Sequence, residues 1–177
     1  MHSIISKIAF AVFVILSGLI ITGCKKMHEH DVVYTDLSNA PIYSSSANYT
    51  SIDIDKDGEA EFQFFKSVYS QGGTPTSPWG GYTETHYQIS VQNSKNGISS
   101  QSSANGNDAI GAKTTFGSEI FYTSHSGYSS GLKYYPIRFV KNKKDHYGWM
   151  LVDWNDGKII AFAYAKHPNR IIEAGQK

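Results

Sequence analysis

From Val32 onward, no stretch of the chain has apolar residues at the roughly 3.6-residue period of an amphipathic helix. Short runs of β-branched and aromatic residues recur instead, separated by clusters of Gly, Ser, Asn and Pro. This pattern predicts an all-β protein, and we expect an antiparallel β-sandwich in a single domain with long polar loops. The predicted strands are VVYT, YTSIDI, EFQFFKSVY, YTETHYQISV, EIFYTS, LKYYPIRFV, YGWMLVDW and GKIIAFAYA.

The last two predicted strands are joined by Asn155, Asp156 and Gly157. An Asp-Gly pair supplies the positive φ angles that a tight hairpin turn needs. We therefore predict that these strands form a β-hairpin.

Two polar stretches interrupt the strand pattern, SQGGTPTSPWGGY at residues 70–82 and NSKNGISSQSSANGNDA at residues 93–109. Both are rich in turn-forming residues and poor in apolar side chains, so we predict two long loops. Long loops in compact domains commonly bind something or are disordered. Trp79 and Tyr82 in the first loop are candidate ligand-binding residues, because exposed aromatic rings can stack on sugars or peptides. Alternatively, Trp79 folds back to cover the edge of the sandwich.

The N-terminus has the layout of a secretory signal, with Lys7, the apolar stretch IAFAVFVILSGLII and then small residues. Its end, Ile21-Thr22-Gly23-Cys24, resembles the signal of bacterial lipoproteins, in which the leader is removed before a lipidated cysteine. The resemblance implies that residues 1–23 are a signal peptide. It also implies that Cys24, the single cysteine, carries a diacylglyceryl thioether and an amide-linked fatty acid such as palmitate. Several acyl chains anchor a protein stably where one would not.

The residue after Cys24 is Lys25, whereas an aspartate at that position tends to retain lipoproteins at the inner membrane. The resemblance therefore implies a lipid anchor in the bacterial outer membrane. Residues 24–31 are polar and lack periodicity, so we interpret them as a tether and residues 32–177 as the β-sandwich domain. Without the leader the chain has 16 − 1 = 15 basic and 15 acidic side chains, which gives no general attraction for nucleic acid or anionic lipid.

The stretch DIDKDGEAEF begins at Asp53 and matches the first six positions of a calcium-binding loop through Asp53, Asp55, Asp57 and Gly58. It is not an EF-hand, because Phe64 occupies the position of the closing glutamate and the flanks are strand-like. Glu61 can close a shorter loop instead. We therefore predict a weak Ca²⁺ site formed by the carboxylates of Asp53, Asp55, Asp57 and Glu61. The alternative is an acidic turn at Asp57-Gly58 whose other carboxylates are solvated.

Catalytic motifs give no basis for predicting an enzyme. Gly127-Tyr128-Ser129-Ser130-Gly131 fits the GxSxG pattern, but strand-like segments flank it on both sides and the nucleophile elbow requires a following helix. We assign no catalytic residue and expect a binding or structural protein of the bacterial envelope, with a glycan or protein as ligand. The alternative is a hydrolase that acts on envelope or extracellular polymers.

The C-terminal stretch HYGWMLVDWNDGKIIAFAYAKHPNRIIEAGQ resembles the end of a group of secreted bacterial β-sheet proteins, many of which carry PEP-CTERM-type sorting tails. Proteins of that group also commonly begin with an aspartate-rich DxDxDG segment. The resemblance implies architecture and no activity. It implies that Tyr147, Trp149 and Tyr164 are packing residues.

Overall fold

A computed structural model of the chain describes residues 31–38, 49–71, 82–102, 106–124 and 131–177. These residues form eleven β-strands and no α-helix, and every strand pair is antiparallel. The all-β, sandwich-like single domain is therefore confirmed. No helix in the described ranges has the length and hydropathy to cross a membrane.

The strands are β1 (Val32–Asp36), β2 (Tyr49–Ile52), β3 (Phe62–Gln71), β4 (Tyr82–Val91), β5 (Gly97–Ile98), β6 (Ala109–Ile110), β7 (Glu119–Ser124), β8 (Leu132–Lys141), β9 (Lys144–Asp153), β10 (Lys158–Ala165) and β11 (Ile172–Glu173). A central sheet has the order β1-β10-β9-β8-β5, and a four-stranded sheet has the order β2-β3-β4-β7. The short strands β11 and β6 form a two-stranded sheet.

The main core lies between the central sheet and the four-stranded sheet. Phe62, Phe64 and Ile89 of the four-stranded sheet and Ile137 and Phe139 of the central sheet are all buried in it. These residues alternate along their strands, because successive side chains of a strand point to opposite faces. The apolar residues that alternate along the predicted strands therefore form the buried face of each sheet.

The opposite face of the central sheet is covered as well. A second cluster contains Tyr147, Trp149 and Ala163 of the central sheet together with Ile110 and Ile172 of the two-stranded sheet. Strand β9 is therefore buried on both faces over residues 146–150, which explains its nearly continuous apolar sequence. Tyr147, Trp149 and Tyr164 are all buried, as expected for packing residues.

The hairpin between β9 and β10 is confirmed, but its turn differs from the prediction. Asp153 pairs with Lys158, so four residues connect the strands, and Gly157 alone among them has a positive φ, of 59°. The Asp153 carboxylate accepts the N–H groups of Asn155 and Asp156, at 2.9 and 3.4 Å. A side-chain acceptor thus stabilises a wider loop than the tight Asp-Gly turn.

The second predicted loop also differs, because β5 lies inside it and residues 96–99 are buried. Ile98 belongs to the main core, and its backbone pairs with Ile137. A two-residue strand is too short to produce a periodic pattern, so the polar surroundings of Ile98 hid it. The strand predicted as YTSIDI likewise ends at Ile52, and the residues after it belong to the acidic loop.

Candidate metal centre

The acidic loop, residues 53–61, connects β2 to β3 within a hairpin whose last pair is Ile52 and Phe62. The Asp53 carboxylate accepts the N–H groups of Asp57 and Gly58, at 3.2 and 2.8 Å. The Asp57 carboxylate accepts the N–H of Glu59 at 2.8 Å. Gly58 has a φ of 96°, a conformation that glycine adopts without steric cost. The aspartate spacing therefore folds the loop back on itself.

The structure brings together all four predicted ligands. One carboxylate oxygen each from Asp53, Asp55, Asp57 and Glu61 lies within 4.8 Å of the others. Asp53 and Asp55 are partly buried, Asp57 is exposed and Glu61 is buried. This cluster can hold a metal ion, and its ligands are the hard oxygen donors that alkaline-earth ions prefer.

Glu61 is held in place by its backbone as well as by its side chain. Its N–H donates to the carbonyl of Ile52 at 3.0 Å, and its carbonyl accepts the N–H of Gln92 at 2.9 Å. Its carboxylate accepts the N–H of Ile54 at 2.7 Å. The side chain is fixed inside the loop before any ion binds.

Burial, together with the nearby Asp55 and Asp53 carboxylates, raises the pKa of Glu61 to about 7 against the lowering effect of the Ile54 N–H. A carboxyl group is ordinarily ionised well below neutral pH. The raised pKa therefore means that a negative charge is disfavoured at this position, chiefly because the carboxylate is buried.

Asp55 provides a second sign of missing positive charge. Its side chain is only 3% exposed, and its Oδ2 lies 3.3 Å from the Lys141 ammonium group, which also donates to the Asp55 carbonyl at 3.4 Å. Its Oδ1 is buried and has no hydrogen-bond partner among the residues that the structure describes. A buried acceptor without a partner is costly, and more so when it is charged. Lys141 supplies one positive charge to a cluster of four carboxylates.

The alternative prediction, an acidic turn with solvated carboxylates, agrees with the structure only in part. The loop does turn, because the carboxylates of Asp53 and Asp57 accept backbone N–H groups as in a turn. Asp55 and Glu61, however, are withdrawn from water.

Two residues of this centre were not predicted from the sequence. Lys141 contacts Asp55 from the end of β8, and Asn96 donates to the Glu61 carbonyl at 3.4 Å while its Oδ1 accepts the N–H of Val140 at 3.2 Å. Both are distant in sequence from the loop, and no local pattern indicates either contact.

Most of the remaining candidate residues cannot be placed relative to this centre. Cys24 and Trp79 lie outside the described residues, as do residues 127–130 of the GxSxG segment. Tyr82 is the first residue of β4, and its backbone pairs with Gln71. The structure describes the backbone of Tyr82 but not its side chain.

A separate cleft of about 740 Å³ lies beside the two-stranded sheet and is lined by residues that include Gln101, Lys113 and Ile171. Asp108 is the one carboxylate among its described lining residues. A glycosidase-type site uses a pair of carboxylates.

No protein-family model matches the chain, and no curated protein or solved structure is significantly similar to it.

Proposed function

We propose that this protein is a lipid-anchored binding or structural protein of the bacterial envelope whose fold is stabilised by Ca²⁺ at the acidic loop. The main support for the metal site is the buried Asp55 carboxylate in the cluster of four acidic residues. One of its oxygens has no hydrogen-bond partner among the described residues. A cation would be a partner for this oxygen and would also favour the ionised form of Glu61, whose pKa is raised chiefly by burial.

We infer Ca²⁺ rather than Mg²⁺ from the larger and more tolerant coordination of calcium. Calcium–oxygen distances of about 2.3–2.6 Å place opposite ligands roughly 4.6–5.2 Å apart, which accommodates oxygens within 4.8 Å of one another. Magnesium needs a tighter octahedron of about 2.0–2.1 Å and keeps several waters. The exposed Asp57 leaves one side open, as in the weak sites of extracellular modules.

Thermal melts in chelator and in calcium test the metal site. An ion that binds only the folded state stabilises it by about 2.7 kcal/mol at a hundredfold excess over Kd, so we expect the wild-type Tm to rise by several degrees. Magnesium at the same concentration should raise the Tm much less. Equal melting temperatures in chelator and in calcium would refute the metal site.

Two variants of the same loop locate the calcium response. Asp55→Asn should abolish most of it, because the buried ligand loses its charge. Glu59→Gln removes an equal charge from an exposed residue outside the cluster and should preserve the response. If both variants reduce the response equally, the effect is general electrostatics rather than coordination.

The anchor rests on the ITGC motif and is tested separately. Wild-type cells fed a labelled fatty acid should incorporate the label into this protein, and Cys24→Ser should abolish that incorporation because the variant lacks the thiol. Ser38→Cys adds a thiol elsewhere on the Cys24→Ser background and should remain unlabelled. Label on the Cys24→Ser protein would exclude Cys24 as the lipidation site.

The binding role is supported by exposed rings on the outer face of the four-stranded sheet. Phe121 is 67% exposed and Tyr69 is 61% exposed. Rings with free faces can stack on sugars or on peptide side chains.

A further inference from the structure

We propose that a basic groove at the β8–β9 end of the central sheet binds a phosphoryl group. The basic groove has a volume of about 500 Å³ and is lined by Lys95, Arg138, Val140, Lys143 and Asp145. None of its lining residues is a carboxylate of the acidic loop, and the proposal does not depend on the proposed calcium site.

Arg138 is placed in the groove by rigid elements. It lies within β8, between Gly97 of β5 and Tyr147 of β9. Its guanidinium group lies 5.4 Å from the centre of the Phe116 ring, and that ring stacks on Tyr147 with the ring centroids 6.1 Å apart. This cation–π contact restricts the guanidinium plane, so less freedom is lost when it binds an anion.

Gly97 makes this arrangement possible. A Cβ at position 97 would lie 2.6 Å from the Cβ of Phe116, which is closer than side-chain atoms approach. The glycine therefore lets Phe116 cross β5 and reach Arg138. The sequence pattern around Gly97, in a stretch predicted as a loop, does not reveal this role.

Two tight turns present the lysines. Lys143 lies in the turn between β8 and β9, where it and Asn142 both have positive φ angles, of 61° and 52°. Lys95 lies in the turn after β4, where its N–H donates to the Asn93 side chain at 2.9 Å. Both lysines are exposed, while their backbones are fixed by the turns.

The positive charge of the groove is only partly offset, by Asp145. None of its three cations lies within 4.0 Å of a carboxylate in the part of the chain that the structure describes. The Nε of Arg138 is buried and has no hydrogen-bond partner among the described residues. A buried donor left without an acceptor is unusual in a folded protein.

The charge of the groove fits a phosphate monoester. Three cations and the Asp145 carboxylate give a net charge of 3 − 1 = +2, which matches a monoester dianion near neutral pH. Arginine binds phosphate oxygens through two parallel N–H donors, and lysines add point charges. Asp145 can accept a hydroxyl hydrogen of the molecule that carries the phosphate. The phosphoryl group has two chemical sources, a phospholipid headgroup or a free phosphate.

Titration of the full-length protein in a maltoside detergent tests the proposal. The probes are inorganic phosphate, dihexanoyl phosphatidic acid and dihexanoyl phosphatidylcholine, at constant ionic strength because screening weakens such contacts. We expect phosphatidic acid to bind and phosphatidylcholine, a zwitterionic diester, not to bind. Equal affinity for inorganic phosphate would identify a free phosphoryl site, whereas much tighter binding of phosphatidic acid would identify a lipid headgroup site.

Matched variants locate the binding. Arg138→Gln should weaken binding about tenfold or more, because hydrogen bonds to charged groups are the strong ones. Lys143→Gln should weaken it by about two- to fivefold. Lys144→Gln removes the same charge from an exposed residue of the same hairpin that does not line the groove, so it should leave affinity unchanged.

Circular dichroism checks the fold of each variant, and Lys143→Gln decides the question if Arg138→Gln does not fold. The proposal is overturned if neither phosphate probe binds the wild type. It is also overturned if Lys144→Gln weakens binding as much as Lys143→Gln, because the effect would then be a diffuse surface charge.

Discussion

Glu61 is the residue at which the acidic loop meets the hydrophobic core. It is 7% exposed and directly precedes Phe62, which is fully buried. Its backbone continues the β2–β3 pairing while its carboxylate accepts the Ile54 N–H. The same residue thus closes the hairpin and supplies a charge to the loop.

The raised pKa of Glu61 predicts a pH dependence in the metal-free protein. The pKa is about 4.5 when unperturbed and about 7 in the folded state, so the folded state holds the proton more tightly. Protonated Glu61 therefore contributes about 3 kcal/mol to the free energy of unfolding. This contribution is fully present below about pH 4.5 and is lost as the pH rises through about 7. Urea unfolding in chelator at pH 5 and pH 8 measures it.

The control for this prediction is Glu61→Gln, which cannot ionise. The free energy of unfolding of wild type should fall more between pH 5 and pH 8 than that of the variant. Saturating calcium should reduce the difference, because the ion binds the ionised carboxylate. Parallel pH profiles for the two proteins in chelator would show that Glu61 titrates normally.

At the scale of single residues, the sequence predicts the four acidic residues of the loop but not the positive charge that lies beside them. Asp53, Asp55, Asp57 and Glu61 are identified by spacing, because a short loop brings alternate residues together. The contact between Asp55 and Lys141 depends on how the two large sheets are stacked. No local rule specifies that arrangement.

The β9–β10 hairpin shows how a turn is constrained by the layer it packs against. The φ of Gly157 is 59°, and a Cβ there would clash with the Tyr87 ring of the four-stranded sheet. The turn therefore fits closely against a residue of the opposite sheet. Asp-Gly predicted the hairpin, while the contact with Tyr87 was not predictable from the turn sequence.

Two glycine substitutions separate backbone strain from this clash. Gly131 has a similar φ of 63°, and a Cβ there would meet nothing within 4 Å. We expect Gly131→Ala to cost about 1–2 kcal/mol from the left-handed backbone alone. Gly157→Ala should cost clearly more, because the methyl group also displaces Tyr87. Chemical denaturation measures both, and equal losses would mean that the Tyr87 contact is readily relieved.

The long strands were predictable because each contains several periods of alternation. All eight predicted strands correspond to observed strands, with differences mainly at their ends. Strands β5, β6 and β11 have two residues each and were missed.

A β-bulge between Ile159 and Ala161 shifts the alternation of side chains along β10, so that Phe162 lies in the main core.

At the scale of the whole molecule, the central sheet is an inner layer covered on both faces. The two-stranded sheet is small, but it covers Trp149, whose indole N–H donates to the Gln176 carbonyl at 3.1 Å. The second cluster is therefore a structural core, although the short strands over it leave little trace in the sequence.

Adjacent isoleucines test the importance of this covering layer. Ile172 is buried in the second cluster, whereas Ile171 is 56% exposed. Ile172→Ala should reduce the free energy of unfolding by about 2–5 kcal/mol, as in a well-packed core. Ile171→Ala should change it by about 0.5 kcal/mol or less. Similar small losses for both variants would mean that the two-stranded sheet contributes little to stability.

Strand β1 determines how the fold responds to mechanical force. A force applied to the chain before residue 31 is transmitted to the fold through β1. This five-residue edge strand pairs only with β10 among the described strands. Val33 packs against the main core and Tyr34 against the second cluster, so peeling β1 away opens both at once. If the protein is tethered at its N-terminus, β1 is the first element to bear the load and the point at which mechanical unfolding begins.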